Sequence, residues 1–356
     1  MWSDFFNNSA RAFLIGAVMT ASAPLAAQSG PYSPAIGSAS PEDVHTVPPR
    51  VPRWSLRGDV VGELSVMRTR YEDTFAGIGN EKSLGYLELV KANPGIDPWL
   101  PGEGTQITLP RRYVLPESKR EGIVINLAEY RLYYFSGGAV QVYPVGVGTE
   151  DNPSPLTDAE VTMRLESPAW YPPESVRAEY DASGEYLPRV IPPGPDNPLG
   201  PFALLLSKKG YLIHGTNKQF GIGMQVSHGC FRMYNEDISQ FINMVDKGTS
   251  VQIIHQPVKI GMSGREVWLE VHRPKEDYDS DARERLWDEV GRVISAFEQN
   301  VPGVEFQRRA IELAVDQADG LPRMIGERLT QVAGELPGER SERSPADEDQ
   351  PVRGLF

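Results

Sequence analysis

The sequence predicts a mainly β central domain, preceded by a small α+β unit and followed by a helical extension. Within residues 120–257, "GIVINLAEYRLYYF" alternates apolar residues on both sides of a turn near Ala128 and Glu129, a pattern typical of a β-hairpin. The stretches "AVQVYPVGVGT", "FALLLSKKGYLIHGT" and "TSVQIIHQP" predict further strands. The 31 prolines and 34 glycines favour many turns and strands over a helical bundle.

Two other segments of the central domain differ from strands. Residues 166–202 form a long insert rich in proline and aromatic residues. A loop of this length in a compact domain is usually a lid or a binding wall. Farther along, "NEDISQFINMVDKG" predicts a helix with Asn235 as its N-cap and Gly248 at its end.

Residues 58–110 predict the small α+β unit. Leu84, Leu87, Leu89 and Val90 follow a helical pattern, and Asn93-Pro94-Gly95 predicts a turn. A short strand then runs from Gln106 to Leu109, where Pro110 ends it.

The C-terminal part predicts one strand and then helices. In residues 264–334, "REVWLEVH" predicts a last strand, and "DARERLWDEVGRVISAFEQN" and "FQRRAIELAVDQADGLPRMIGERLTQVA" have helical periodicity. Residues 335–356 are polar and charged, so we expect a disordered tail.

The N-terminus indicates export. Residues 1–27 contain a short apolar run that ends in "APLAAQ", which is typical of a signal peptide cleaved after Ala27. A buried apolar helix is the alternative. Residues 28–57 are rich in proline, serine and glycine and predict a linker. No later stretch is long and apolar enough to span a membrane, so we expect a periplasmic protein without an integral span.

Composition excludes several classes of function. The net charge is −13 without a basic cluster, which argues against nucleic acid as a partner. The chain has neither a CxxC nor an HExxH motif, so the sequence predicts no metal site and no cofactor. A hydrophobic fraction of 40% is ample for a core.

Cys230 is the only cysteine in the chain, and its surroundings are typical of a site. Cysteines of exported proteins usually occur in pairs, so a single thiol stands out. A small buried core residue is the alternative. His228 lies two residues before it and His214 lies 16 residues before it, at the end of an apolar strand. Gly229 allows unusual backbone dihedrals, so that backbone N–H groups near the thiol can form an oxyanion hole. A thiol, a histidine base and such donors are the parts of an acyl-transfer enzyme.

The segments "IHGTN" and "SHGC", followed directly by "FRMYNEDI", resemble the signature of the L,D-transpeptidase (YkuD-type) family. The resemblance covers about residues 121–256 and includes "GPDNPLGPFAL". It implies a YkuD-type β-sandwich with a short helix after the cysteine. The stretch "NPSPLTDAEV" departs from the TPxG turn of many members, and we expect that departure to lie away from the histidine and cysteine.

Residues 58–110 resemble a LysM module, the small peptidoglycan-binding fold, in "LVKANPGID" and "PGEGTQITLP". In having a LysM-like unit before the catalytic domain, the chain resembles the exported Gram-negative members of the L,D-transpeptidase family. Trp99 is then available to stack on a sugar face. In the alternative interpretation, Trp99 and Leu100 pack against the catalytic domain and the unit is a rigid brace.

The resemblance implies roles for residues in the matched segments. Cys230 is expected to be the nucleophile and His214 the proton acceptor and donor, with His228 orienting the substrate or the thiol. The expected reaction attacks the L-centre carbonyl of meso-diaminopimelate in a tetrapeptide stem, releases D-alanine and leaves a thioester. A diaminopimelate amine or a lysine of an outer-membrane lipoprotein then accepts the acyl group.

Three further residues are expected to support that chemistry. Ser227 is expected to hydrogen-bond within the turn, and Gly229 to give it its shape. Arg232 is expected to bind a substrate carboxylate, or to form a structural ion pair with Glu236 or Asp237.

Two rival functions remain open from the sequence. If water and not an amine attacks the thioester, the protein is a carboxypeptidase or endopeptidase that acts on the same stem. A non-catalytic peptidoglycan-binding protein is the other rival, and an intact pair of His214 and Cys230 argues against it. A papain-like protease is disfavoured because its cysteine precedes its histidine in sequence.

Overall fold

The computed structural model describes residues 49–273 and 280–329. The expected signal peptide, most of the expected linker and the expected C-terminal tail lie outside the described residues. No helix within the described ranges is long and apolar enough to cross a membrane.

The strands, in chain order, are β1 (Trp54–Ser55), β2 (Val60–Arg68), β3 (Gln106–Val114), β4 (Gly122–Asn126), β5 (Arg131–Ser136), β6 (Ala139–Pro144), β7 (Val147–Gly148), β8 (Thr157–Glu166), β9 (Phe202–Leu206), β10 (Leu212–His214), β11 (Gln225–Ser227), β12 (Phe231–Arg232), β13 (Ser250–Ile254), β14 (Val258–Ser263), β15 (Glu266–Val271), β16 (Val304–Phe306) and β17 (Arg323–Arg328). The helices are α1 (Phe75–Lys82), α2 (Tyr86–Ala92), α3 (Glu174–Ala182), α4 (Asn235–Phe241), α5 (Ser280–Asn300) and α6 (Arg308–Gln317).

A curled nine-stranded sheet forms the central domain, in the order β1-β6-β5-β4-β13-β8-β9-β10-β12. The predicted hairpin is β4 and β5, which pair antiparallel around Tyr130, a residue with φ of +57°. The sheet packs its apolar face on α4, through Phe241 and Ile238, which are fully buried. The prediction of a mainly β domain is therefore confirmed.

The linker prediction is wrong for residues 49–57. Val51 is buried, and β1 pairs antiparallel with β6 through Trp54 and Val140. Trp54 also packs edge-on against Tyr113 with ring centroids 5.7 Å apart. Trp54 gains an aromatic contact and partial burial here, which a solvated linker would not provide.

The small unit has the order β2-α1-α2-β3, with β2 and β3 paired antiparallel over their whole length. The predicted end of the last strand at Pro110 is wrong, because β3 continues to Val114. Pro110 lies opposite Leu64 in a sheet of only two strands, where a missing N–H can face the open side.

The C-terminal part is a four-stranded sheet, in the order β14-β15-β17-β16, covered by α5 and α6. The prediction of a single strand followed by helices is therefore wrong. The second predicted helix ends at Gln317, and Arg323–Arg328 of the same segment form β17. Gly320, with φ of +78°, and Pro322 interrupt the helix, and Ile325 then buries its side chain in the sheet core.

A cluster of buried charged side chains joins the small unit, the nine-stranded sheet and the C-terminal sheet. Arg131 of β5 contacts Glu88 of α2 at 2.6 Å and also Glu270 of β15. Lys259 of β14 lies 2.7 Å from Glu129 and 3.2 Å from Glu270. The side chains of Glu129 and Glu270 are completely buried, so each carboxylate depends on these cations.

Glu129, Glu270 and His272 lie close enough together to hold a metal ion. Arg131 and Lys259 already neutralise both carboxylates, so a metal ion would have to displace two cations. Burial alone would raise the pKa of Glu270. The charges of Lys259 and Arg131 lower the pKa by more than burial raises it, so the pKa lies well below its usual range. The cluster is therefore an ion-pair network between segments.

Replacing Glu270 with glutamine is expected to reduce the free energy of unfolding by about 3 kcal/mol, because it leaves a buried cation uncompensated. Urea unfolding measures the change. The matched control is Glu327→Gln, which removes the same charge from the exposed face of β17. Equal stability of the two variants would contradict a structural role for the cluster.

Candidate active site

Strand pairing places three of the candidate site residues, His214, Cys230 and Arg232, on one face of the sheet. Strands β10 and β12 run parallel, with Ile213 opposite Phe231 and His214 opposite Arg232. Side chains alternate along a strand, so Cys230, which directly precedes β12, shares the face of Arg232 and therefore of His214. Ile213 and Phe231 point to the other face and are fully buried in the core.

The ring of His214 is buried and held by one backbone contact. Its Nδ1 lies 2.6 Å from the carbonyl oxygen of Gly215. A carbonyl only accepts, so we assign the proton to Nδ1, which leaves a lone pair on Nε2. Burial, and next the positive charge of Arg232, lowers the pKa of His214 to about 4. At neutral pH the ring is therefore an uncharged base.

Asn235 fixes the chain just after His214. Its Oδ1 accepts from the N–H of Thr216 at 2.8 Å, and its Nδ2 donates to the carbonyl of Thr216 at 2.9 Å. The prediction of Asn235 as a helix N-cap is wrong, since Tyr234 takes that position and Asn235 is the first helical residue. The side chain is engaged across the site with Thr216 and not with its own helix.

Ser227 and Gly229 shape the turn that carries the thiol. The hydroxyl of Ser227 donates to the carbonyl of Cys230 at 2.6 Å and accepts from the N–H of Gly229 at 3.1 Å. Gly229 has φ of +98°, and a Cβ there would lie 2.9 Å from the Tyr211 ring. Because the Gly229 N–H is occupied within the turn, it is not an available oxyanion donor.

The segment that departs from the TPxG pattern lies against this turn. Ser154 donates its hydroxyl to the carbonyl of Gly229 at 2.8 Å and accepts from the N–H of Gly148 at 3.0 Å. The expectation that this segment lies away from the site is therefore wrong. Ser154 links the end of β7 to the turn that carries the thiol.

The thiol of Cys230 is in a resting arrangement. Its Sγ donates to the carbonyl of Gly210 at 3.5 Å, and no hydrogen bond joins it to His214 in the described structure. Burial raises the pKa of the Cys230 thiol, and the N–H of Leu212 and the charge of Arg232 offset only part of that rise. Thiol and imidazole are therefore both neutral near pH 7.

Arg232 is half-buried and has no ion-pair partner among the described residues. Asp237 instead pairs with Arg50 at 3.0 Å, and Glu236 accepts from Gln219 at 3.4 Å. The structural ion pair that the sequence left open is therefore absent. The main chain of Arg232 is fixed by two hydrogen bonds with Gly146, at 2.8 and 2.9 Å.

The ring of His228 contacts the insert. Its Nε2 lies 2.8 Å from Oε2 of Glu179 in α3, and both side chains are about half exposed. The insert, which we expected as a loop, thus contains a helix. This helix rests on the residues next to Cys230.

Comparison with known proteins decides the family. A model of the L,D-transpeptidase catalytic domain (YkuD) matches residues 120–253. The probable L,D-transpeptidase ErfK/SrfK of Escherichia coli K12 is 39% identical over 261 residues, which are 71% of this chain and 81% of that protein. The chain belongs to the L,D-transpeptidase family. It is accordingly assigned as a transferase.

One further relative and one solved structure are also similar to this chain. The probable L,D-transpeptidase YbiS of the same strain is 44% identical over 198 residues, which cover 54% of this chain and 64% of YbiS. The NMR structure of the catalytic domain from E. faecium L,D-transpeptidase is 19% identical, with a TM-score of 0.31, and covers 39% of this chain and 100% of that chain. No conclusion rests on that last likeness.

Sequence reasoning missed two residues beside this candidate site. Ser154 carries no motif, and Glu179 lies in the insert, where only the length of the segment signalled a role. The contact between Glu179 and His228 places α3 beside the thiol turn.

The alkylation rate of Cys230 by iodoacetamide is expected to rise steadily from about pH 7 to pH 9 without a plateau, because an unperturbed thiol already titrates near 8.5 and burial raises this pKa. Intact-mass kinetics at a series of pH values measure it, with Cys230→Ala as the unlabelled background. A rate independent of pH between about 5 and 8 would indicate a preformed thiolate–imidazolium pair and contradict the neutral resting state.

Proposed function

We propose that this L,D-transpeptidase acts on tetrapeptide stems of peptidoglycan through a thioester on Cys230. The shared face of Cys230, His214 and Arg232 carries this proposal, since it brings nucleophile, base and cation together. The curled sheet is taken as the YkuD-type sandwich of the family. We also propose that the protein is exported and works in the periplasm.

The first step forms the thioester. The thiol rotates from Gly210 toward His214, and Nε2 of His214 takes the proton as sulfur attacks the L-centre carbonyl of diaminopimelate. The amide C–N bond breaks, and His214 returns the proton to the departing amine of D-alanine. Arg232 and the N–H of Leu212 stabilise negative charge on the sulfur as the proton leaves.

The second step transfers the acyl group to an amine. The amine nitrogen attacks the thioester carbon and loses a proton to His214. The C–S bond then breaks, and His214 gives that proton to the departing sulfur, which restores the thiol and the neutral ring. A second diaminopimelate gives a cross-link, whereas a lysine of an outer-membrane lipoprotein gives an anchor. Because His214 is uncharged at neutral pH, it can accept the proton in both steps.

His214→Ala is expected to reduce D-alanine release from a disaccharide tetrapeptide by about 10²–10⁴-fold, since it removes the general base. His228→Ala is expected to keep most of the activity, because its ring contacts Glu179 and not the thiol. Liquid chromatography with mass spectrometry measures release and also shows whether an amide product or a tripeptide follows.

Cys230→Ala is the control that removes the nucleophile, and it must release no D-alanine. Release by that variant would exclude the thioester mechanism. A dead His228→Ala with a near-normal His214→Ala would reverse the assignment of the base.

The β2-α1-α2-β3 unit supports the proposal of a LysM-like module that binds glycan strands. The unit also touches the catalytic loop between His214 and Cys230. Phe220 in that loop lies 5.3 Å from the ring of Trp99 and 5.2 Å from that of Tyr86. The N–H of Tyr86 donates to the carbonyl of Ile222 at 3.0 Å. These contacts support a second role, as a brace for the loop between His214 and Cys230, and the exposed half of Trp99 is free to contact glycan.

Trp99→Ala and Phe220→Ala are each expected to lower turnover of a soluble tetrapeptide by about fivefold, because an aromatic pair contributes roughly 1 kcal/mol to the position of the loop. Leu100→Ala is the control, since this side chain is 78% exposed on the same segment. If Trp99→Ala keeps full turnover but no longer pellets with purified sacculi, the module is a tether and not a brace.

A further inference from the structure

The hydroxyl of Ser154 is a buried link between two backbone segments. It donates to the carbonyl of Gly229 at 2.8 Å and accepts from the N–H of Gly148 at 3.0 Å. Only 8% of Ser154 is exposed, so both contacts are shielded from water. Loss of the hydroxyl would leave a buried donor and a buried acceptor unsatisfied at the same time.

The backbones around Ser154 approach one another closely. A Cβ at Gly148 would lie 2.6 Å from the nitrogen of Ser154 and 2.9 Å from Cα of Gly229. Pro153 and Pro155 flank Ser154, and each fixes its own φ and restricts the residue before it to extended backbone. The Ser154 segment is therefore a stiff support against which the thiol turn packs.

The thiol turn, residues 228–230, has no strand pairing of its own. The ladder between β7 and β11 ends just before this turn, and the pairing of β12 with β10 begins just after it. Within the turn, the peptide that joins Gly229 to Cys230 is held at its carbonyl by Ser154. The direction of this peptide therefore depends on one side chain from another segment.

That direction decides where the N–H of Cys230 points. In a trans peptide the C=O and N–H groups point to opposite sides, so a carbonyl held by Ser154 turns the N–H away from the Ser154 segment. The N–H of Cys230 donates to no backbone carbonyl in the ranges that the structure describes. It belongs to the residue that carries the attacking sulfur, so the oxygen of an attacked carbonyl comes within its reach.

We propose that Ser154 is a positioning residue, which directs the N–H of Cys230 to the oxyanion that forms when the thiol attacks a carbonyl. The inference rests on the proposed function, because it assumes that an acyl group is transferred to Cys230. Ser154 contacts neither the substrate nor the sulfur in this proposal. It acts only through the peptide between Gly229 and Cys230, and it transfers no proton.

The test compares two reactions of Cys230 in the full chain. In acylation by p-nitrophenyl acetate, sulfur bonds to the carbonyl carbon, His214 takes the thiol proton, and the ester C–O bond of the tetrahedral oxyanion breaks to release p-nitrophenolate. Alkylation by iodoacetamide displaces iodide and forms no oxyanion. Absorbance measures the first reaction and intact mass the second, with Cys230→Ala as the background for both.

Ser154→Ala is expected to slow acylation by about 10–100-fold, since complete loss of an oxyanion donor costs about 10²–10³-fold. Alkylation is expected to stay within about twofold of wild type at each pH, because the charges around the thiol are unchanged. Ser154→Thr keeps the hydroxyl and is expected to recover most of the acylation rate.

Ser250→Ala is the matched control. Its hydroxyl also bonds a backbone carbonyl, that of Glu121 at 3.3 Å, on a strand that three other strands separate from β12. Urea unfolding shows that each variant is folded in the assay. If Ser154→Ala does not fold, Ser154→Gly carries the same comparison, because it leaves room for a water molecule that satisfies both backbone groups without fixing their direction.

Equal slowing of acylation and alkylation by loss of the Ser154 hydroxyl would show that the hydroxyl only supports the turn as a whole. An unchanged acylation rate would show that it supports no step of the reaction. Either result overturns the proposal.

D-Alanine release separates this proposal from the proposed function. In Ser154→Ala, release from a disaccharide tetrapeptide is expected to fall in kcat, with KM within about twofold of wild type. If wild type releases no D-alanine but loss of the hydroxyl still slows acylation alone, the proposed donor is rejected and the role of Ser154 is kept. Release by Ser154→Ala at the wild-type rate rejects the role of Ser154 alone. A wild type that is neither acylated nor releases D-alanine rejects both.

Discussion

The buried network around Arg131 and Lys259 is the constraint on which the arrangement of the chain depends. Its members come from the small N-terminal unit, the nine-stranded sheet and the C-terminal sheet. Charges removed from water are tolerated only while every partner is present. The stability of each of the three parts therefore depends on the other two. The domain boundaries visible in the sequence do not separate independently stable units.

This network also reaches the active site through one short helix. Glu88, which binds Arg131, lies in α2 two residues after Tyr86. Tyr86 in turn contacts Ile222 and Phe220 in the loop between His214 and Cys230. The ions that fix α2 thus also limit how far that loop can move.

The sequence predicted what depends on local patterns. The strands around His214 and Cys230 could be predicted from their local patterns. Because these strands pair with each other, residues 16 positions apart in the chain become neighbours. Arg131 and Glu270 are 139 residues apart, and no local pattern links them. The same limit applies to Ser154, whose contact with the thiol turn comes from the packing of a loop. In β17, pairing with two neighbouring strands outweighed helical periodicity.

Both edges of the nine-stranded sheet are strands of only two residues, β1 and β12. Very short edge strands limit edge-to-edge aggregation between molecules. At β12 the edge is also closed, because Gly146 occupies both backbone groups of Arg232. An extended peptide therefore has no open ladder to join beside the cysteine, and recognition by β-augmentation is blocked there. Selectivity at this edge has to come from side chains.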